Sequence, residues 1–453
     1  MFESLYRFYS SGKTLPVDFR RSCLESLSHE VLKREDEILH ALYMDLGKPA
    51  SEAYVSEVGF VLSEISYALK NLHKWMKPVN VKTPIMFFPA RSRIVPSPKG
   101  VVLILGPWNY PFQLLFTPLI GAIASGNCAV LKASRHTPYI SKVMNTIIEE
   151  TFDPDHCRFV AGNDESAREL IDLKWDHIFF TGSTEVGRMI MQKAGKNLTP
   201  VTLELGGKNP CIVFDDADLK VSAERIAWGK FMNAGQTCIA PDTVYCHEDV
   251  REEFLDILKG VIRRFYGADP KKSPDFGRII NAHHIERLAS YLNCGCSVVA
   301  GGRYDADERY FEPTIVTDVP EDAPVMKQEI FGPILPVIGF RDTEDIIYRH
   351  RSKPHPLALY IFTKKRDYQD MLIQAIPSGS VGINETVKQG ATHYLPFGGF
   401  GESGMGRYHG KASFEAFSHF KTVLCSGYRG TGFHYPPYGN SIKFIKKIYR
   451  LFG

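Results

Sequence analysis

The chain has 453 residues, 44% apolar and 23% charged, with a net charge of +3. That length predicts two or three domains, and the balance is that of a soluble globular enzyme rather than a disordered or membrane chain. Lys and Arg are scattered except at the extreme C-terminus, which excludes nucleic acid as a partner.

From the N-terminus, the opening Met1-Phe2-Glu3-Ser4-Leu5-Tyr6-Arg7 has no apolar h-region, so no secretory signal is expected. Residues 16–75 read as charged, amphipathic helices, with Leu24, Leu27, Val31, Ile38, Leu39 and Leu42 at helical spacing. In 81–99, Pro84, Pro89, Pro96 and Pro98 alternate with apolar residues, which predicts an extended excursion. No charge occurs between Val101 and Leu131, yet Pro107, Asn109, Pro111, Pro118 and Gly126 interrupt the run at expected turn positions. A lipid-buried segment could not satisfy the backbone groups that such breaks free. The expectation is a βαβ unit: strand Val101–Leu105, helix from about Pro111 to Ala124, strand Cys128–Lys132.

Strands Cys157–Val160 and Ile178–Phe180 continue the alternation of short apolar runs and helices. A second block follows Gly206, with strands at Cys211–Phe214, Thr243–His247, Ser297–Ala300 and Ile334–Phe340 and a helix over Arg251–Phe265. This pattern predicts an α/β fold built on open parallel sheets. Nine cysteines, odd in number and without a framework, point to reduced thiols in a cytoplasm. Cys294-Gly295-Cys296 has no second pair to complete a zinc site, so no metal is expected.

The chemistry concentrates in two segments. Cys238 lies in Asn233-Ala234-Gly235-Gln236-Thr237-Cys238-Ile239-Ala240-Pro241, and Glu204 in Thr202-Leu203-Glu204-Leu205-Gly206-Gly207-Lys208-Asn209-Pro210. A thiolate is the strongest side-chain nucleophile near neutral pH. A thiolate that attacks a carbonyl leaves an acyl-enzyme, which a base-activated water clears. Asn109, in Leu105-Gly106-Pro107-Trp108-Asn109-Tyr110-Pro111, is a neutral donor of the kind that stabilises an oxyanion, or else a turn residue between prolines. Phe180-Thr181-Gly182-Ser183-Thr184-Glu185-Val186-Gly187 follows an apolar run and opens a helix, a geometry that offers backbone N–H groups to a phosphate. Its glycine spacing is not G-x-G-x-x-G, and an ordinary strand-to-helix turn would read the same way.

These segments resemble the signatures of the aldehyde dehydrogenase superfamily, from about residue 50 to residue 425. The resemblance implies a Rossmann-like parallel-sheet cofactor domain (1–80 and 100–206) and a second α/β catalytic domain (207–410). It also implies small β bridging or oligomerisation segments (81–99 and 411–439). Cys238 would be the nucleophile, Glu204 the general base and Asn109 the oxyanion donor. Gly182, Ser183 and Gly187 would form the pyrophosphate loop of NAD or NADP, and Lys132 would meet the adenosine ribose. Glu329 and Phe331, in Glu329-Ile330-Phe331-Gly332-Pro333, would hold the nicotinamide ribose and ring. The family's usual Lys-Pro-Ser-Glu is here Lys132-Ala133-Ser134-Arg135. Arg135 either pairs with a 2′-phosphate, so that NADP is accepted, or points to solvent.

The glycine-rich block Leu395–Lys411 is similar to that of class 3 members. These are usually dimers and oxidise medium- and long-chain aliphatic or aromatic aldehydes. Tyr110, Asn384 and His393 are candidate substrate-lining residues, with a turn cap as the other reading of Asn384 and of His393; a small polar semialdehyde is the alternative substrate, and a non-catalytic protein the alternative function. Last, residues 440–453 place Ile442, Ile445, Ile448, Tyr449 and Phe452 on one helical face and Lys443, Lys446, Lys447 and Arg450 on the other. Such a helix either lies on an anionic membrane surface or docks on its own protein.

Overall fold

The uncharged run from Val101 to Leu131 forms the middle of a six-stranded sheet in the computed structural model. The model describes residues 2–351, 353–428, 435–439 and 441–452. Residues 429–434 of the C-terminal bridging segment, and 440, 453 and the side chains of Ile448 and Phe452 in the tail, lie outside the described residues. The strand order is Gly404–Met405, Val201–Glu204, His177–Thr181, Val101–Leu105, Cys128–Lys132, Cys157–Val160. All pairings are parallel except that of Gly404–Met405. The three central strands are buried at every position, as their unbroken apolar character requires of a sheet covered on both faces.

Helix Gln113–Ser125 connects two of these strands and is buried at all 13 positions. Pro118 sits inside it rather than at the expected turn. The proline removes one helical N–H, but packing on every side of the helix outweighs that local loss.

Register aligns the strand ends. Leu105 pairs with Lys132 and Phe180, and Thr181 with Glu204. The loops carrying Asn109, Gly182 and Leu205 therefore leave the sheet at one carboxyl edge, where open α/β sheets bind ligands. A seven-stranded sheet follows, in the order Ser297–Ala300, Thr314–Thr317, Ile334–Phe340, Thr243–His247, Pro210–Val213, Ala358–Phe362, Ser380–Ile383. Cys238 and Glu329 precede the adjacent parallel strands Thr243–His247 and Ile334–Phe340, so both enter at the same edge.

Residues from distant parts of the chain form a third sheet of Val79–Val81, Arg91–Pro98 and Ser418–Cys425. Its long antiparallel ladder runs from Ser418 opposite Pro98 to Cys425 opposite Arg91. The region expected as amphipathic helices over 16–75 holds Val17–Lys33, Glu35–Leu46, a short turn at Ala50–Ala53, a π-turn at Tyr54–Val58, then Gly59–Trp75. Single-turn π segments of this kind recur at functional sites.

Candidate active site

Cys238 lies in a turn between helix Leu219–Phe231 and strand Thr243–His247. The turn is tight. Asn233 and Ala234 have φ of +49° and +51°, and Gly235 has φ +76°. A Cβ at Gly235 would overlap the Gly332 carbonyl, so only glycine fits there.

Buried amides pin the turn. The Asn209 side chain donates to the carbonyls of Cys238 (2.8 Å) and Ala240 (3.0 Å) and accepts from the Ala358 N–H (2.8 Å). Gln236 donates to the carbonyls of Asn233 (2.9 Å) and Arg278 (3.0 Å) and accepts from the Ile280 N–H (2.9 Å). Fully satisfied buried amides of this kind fix one conformation.

Asn109 is locked to the same turn. Its Nδ2 donates to the Gln236 carbonyl at 3.0 Å, and its own carbonyl accepts from Lys48 Nζ (3.0 Å) and Asn233 Nδ2 (2.9 Å). One N–H of Asn109 is thus spent on holding position and the other remains for an oxyanion. Tyr110 lies beside it, its hydroxyl 2.6 Å from Thr237 Oγ1.

Sequence reasoning missed the support beneath these groups. Lys48 and Glu57 form an ion pair at 2.5 Å with both side chains 0% exposed. The other Glu57 oxygen accepts from the N–H groups of Phe112 (2.9 Å) and Gln113 (3.2 Å), where helix Gln113–Ser125 starts. Lys48 Nζ also stands 4.1 Å from the centre of the Tyr110 ring. The signal was faint: one Lys in Gly47-Lys48-Pro49 and one Glu in an otherwise ordinary amphipathic helix.

Glu204 ends its strand opposite Gly404 in the glycine-rich block, and the Leu205 N–H donates to the Ser403 carbonyl at 3.0 Å. Glu204 is 2% exposed, and neither carboxylate oxygen has a hydrogen-bond partner among the described residues. Burial holds its pKa well above the usual carboxylate range. Burial, then the charges of Glu329 and Glu204, push the Cys238 thiol up to about 12. Glu329 is raised to about 8 by burial and by Asp242. Three groups raised chiefly by burial line one space, and such groups cluster at functional sites.

Cys238 stands where two cavities meet. One is a cleft of about 630 Å³, also lined by Asn109, Gly182, Ser183, Glu204, Glu329 and Phe331. Helix Thr184–Lys196 opens onto it, with Ser183 Oγ accepting from the Val186 N–H at 3.4 Å. A Cβ at Gly206 would fall on the Glu329 carboxylate, so the bare backbone lets that carboxylate lie against it. Phe331, at φ +45°, packs edge-on to Trp108 at 5.2 Å. Volume, helix N-terminus and carboxylate together suit a dinucleotide. The other cavity, about 110 Å³, is an inner pocket lined by Tyr110, Leu114, Ile239, Phe397 and Tyr408 besides Cys238. Val55, Ser56, Trp228 and Met232 line both it and an outer cavity of about 380 Å³.

Other expected site residues stand further out. Lys132 is buried and donates to the carbonyls of Ala133 (2.8 Å) and Gly162 (3.0 Å), and Arg135 is exposed beyond the same strand. Gly187 packs against Leu205, which a Cβ would strike. Asn384 and His393 do not line either cavity at Cys238, contrary to expectation. Asn384, at φ +50°, spends its side chain on the backbone of Thr363, linking two strand ends. His393 stacks on Tyr67, with ring centres 4.2 Å apart. The histidine among the lining residues of the inner pocket is His409, which no spacing had singled out.

Residues 7–423 match the model of the aldehyde dehydrogenase family. The chain is 45% identical over 445 residues to the 4,4′-diaponeurosporen-aldehyde dehydrogenase of Staphylococcus aureus, covering 98% of this chain and 97% of that one. It is 43% identical to the dimeric NADP-preferring aldehyde dehydrogenase of Canis lupus familiaris, covering 92% of each. The solved structure described as the substrate-bound state of Staphylococcus aureus AldH superposes with a TM-score of 0.97 at 44% identity, covering 99% of this chain and 98% of that one.

Proposed function

Since the chain belongs to the aldehyde dehydrogenase family, we propose that it oxidises medium- and long-chain aliphatic or aromatic aldehydes to carboxylic acids through an acyl-cysteine at Cys238. The observation that carries this reading is the placement of Cys238 between a polar cleft suited to a dinucleotide and an apolar pocket.

Cys238 loses its thiol proton to solvent and adds as the thiolate to the aldehyde carbon, and Asn109 Nδ2 with the Cys238 N–H holds the resulting oxyanion. Bound in the cleft, NAD or NADP would supply the two-electron acceptor for oxidation of the Cys238 thiohemiacetal to the thioester. Glu204 then removes a proton from water, which attacks the thioester and releases the acid and the Cys238 thiol. Glu329 and the Ser183 helix end would hold the dinucleotide at the cleft. Phe331 would flank the nicotinamide, and Arg135 would accept a 2′-phosphate, making NADP a usable cofactor. The domain boundaries stated above go with this reading.

Among the described residues, neither Lys nor Arg lines the inner pocket, which disfavours a carboxylate-bearing semialdehyde. The intact set of Cys238, Glu204, Asn109 and Glu329 disfavours a non-catalytic role. In an assay of C6–C12 aldehydes, benzaldehyde and a C4 semialdehyde with NAD+ and NADP+, kcat/KM along the aliphatic series should rise about fourfold per methylene until the pocket is filled, from about 0.8 kcal/mol per buried CH₂. Preference for a C4 semialdehyde would overturn the substrate class, and a strong NAD+ preference would overturn the role of Arg135.

The protein is read as a cytoplasmic homodimer. Its nine free cysteines suit a reducing compartment. The edge strand Ser418–Cys425 exposes Phe420 and Leu424, and a relative is named as dimeric. Helix Ser441–Phe452 exposes Lys443, Lys446, Lys447 and Arg450 together with Ile442 and Tyr449. No helix among the described residues is long and apolar enough to cross a membrane. We assign this helix to peripheral contact with anionic lipid. The full chain should co-sediment with phosphatidylserine-containing liposomes and residues 1–439 should not; equal partitioning rejects the contact.

A further inference from the structure

His409 lines the same inner pocket as Cys238 but has no part in the chemistry described above. Its ring sits in an aromatic cage, with centres 5.1 Å from Phe60, 5.3 Å from Phe397 and 4.2 Å from Tyr408. The residue is 2% exposed, and neither ring nitrogen has a hydrogen-bond partner among the described residues. Other buried histidines differ. His177 uses both ring nitrogens, toward Lys99 and Thr202 at 3.0 Å each, and His350 Nδ1 meets the Ile346 carbonyl at 2.8 Å.

Besides the ring contacts, backbone hydrogen bonds hold His409 in place. It sits at φ +77°, uncommon for a residue with a side chain. Its N–H donates to Ser413 Oγ (2.8 Å), and the next residue, Gly410, donates to Glu64 Oε2 (2.9 Å). Before it, Phe397 and Tyr408 exchange both backbone hydrogen bonds. Burial pushes the ring down to about 3, so the imidazole is neutral at working pH, with one N–H donor and one nitrogen acceptor. An unsatisfied donor and acceptor in an apolar cage carry a penalty that a purely hydrocarbon substrate leaves in place.

We propose that His409 is a polar anchor in the aldehyde pocket, selecting aldehydes that carry a hydroxyl group on their carbon skeleton over plain hydrocarbon aldehydes. This assignment rests on the aldehyde-oxidising reading above and deepens it by naming a substrate class. The energetic logic is that of sites built to bond a hydroxyl, which reject the analogue lacking it far better than an apolar wall rejects an added one.

The test compares 2-, 3- and 4-(hydroxymethyl)benzaldehyde with the matching ethylbenzaldehydes, and the same ratio is read in each variant so that general losses cancel. The wild-type protein should favour at least one hydroxymethyl isomer in kcat/KM. In His409→Phe, which keeps a ring in the cage, that ratio should fall about 3–10-fold, the range of one net hydrogen bond. In His409→Asn, which tolerates the left-handed backbone and keeps a donor and an acceptor, the preference should survive at least in part. The corresponding benzoic acids, titrated by calorimetry, read the same preference without turnover. Absent oxidation with preserved binding preference would therefore count against the enzymatic reading alone. No hydroxyl preference for any isomer, or a ratio unchanged in His409→Phe, overturns the anchor and leaves His409 as a packing residue.

Discussion

Glu204→Gln will release about one equivalent of reduced nicotinamide per Cys238 and then stall, with steady-state turnover down about 10²–10⁴-fold, the usual contribution of a positioned general base. The reason is the distribution of carboxylates. Glu57 is consumed by Lys48 and the start of a helix, and Glu52 accepts from the Asn233 N–H at 2.8 Å. Asp242 is bonded to Lys208 and to the Ile330 N–H. Glu204 alone among these has both oxygens unpartnered at the cleft shared with Cys238. Gln matches its shape and removes no hydrogen bond, so thermal stability should be unchanged or slightly raised. Steady turnover within about threefold of wild type would assign the base elsewhere.

Glu57→Ala will be the most destabilising single change near the site, at about 3–5 kcal/mol, because it strands the Lys48 ammonium in a fully buried position. It also frees two helix-start N–H groups, at Phe112 and Gln113. The paired change Lys48→Met with Glu57→Leu removes both charges and should recover much of that loss, since a buried ion pair gains little over apolar packing of similar volume. Chemical denaturation midpoints of the three variants read both effects. A Glu57→Ala loss below about 1 kcal/mol would mean that the pair contributes little to holding Asn109 and Tyr110.

The architecture was legible wherever chemistry and local pattern coincide. Apolar runs such as Val101–Leu105 and Cys128–Lys132 mark strands buried on both faces, and they occur as expected. Motifs at strand exits, carrying Asn109, Gly182 and Glu204, share one edge because parallel strands deliver their ends there, and the turn that precedes strand Thr243–His247 brings Cys238 to the same cleft. What pattern could not carry is long-range partnership. Lys48 and Glu57 look like surface charges until the fold buries them together. Asn384 is a candidate site residue in the sequence, yet its amide is spent on Thr363. His393 stands just before the glycine-rich block and His409 within it, and the fold sets the first against Tyr67 and the second at the inner pocket. Pro118 shows the converse, a local helix breaker overridden by burial on all sides.

The central claim is that an acyl group forms on Cys238, and the mass of the protein tests it most directly. Glu204→Gln, mixed with octanal and NADP+ and quenched in acid, should gain one octanoyl group in place of one hydrogen, located on the peptide containing Cys238 and removed by hydroxylamine. Octanoic acid produced with no adduct at Cys238, or an adduct on another residue, would contradict the account.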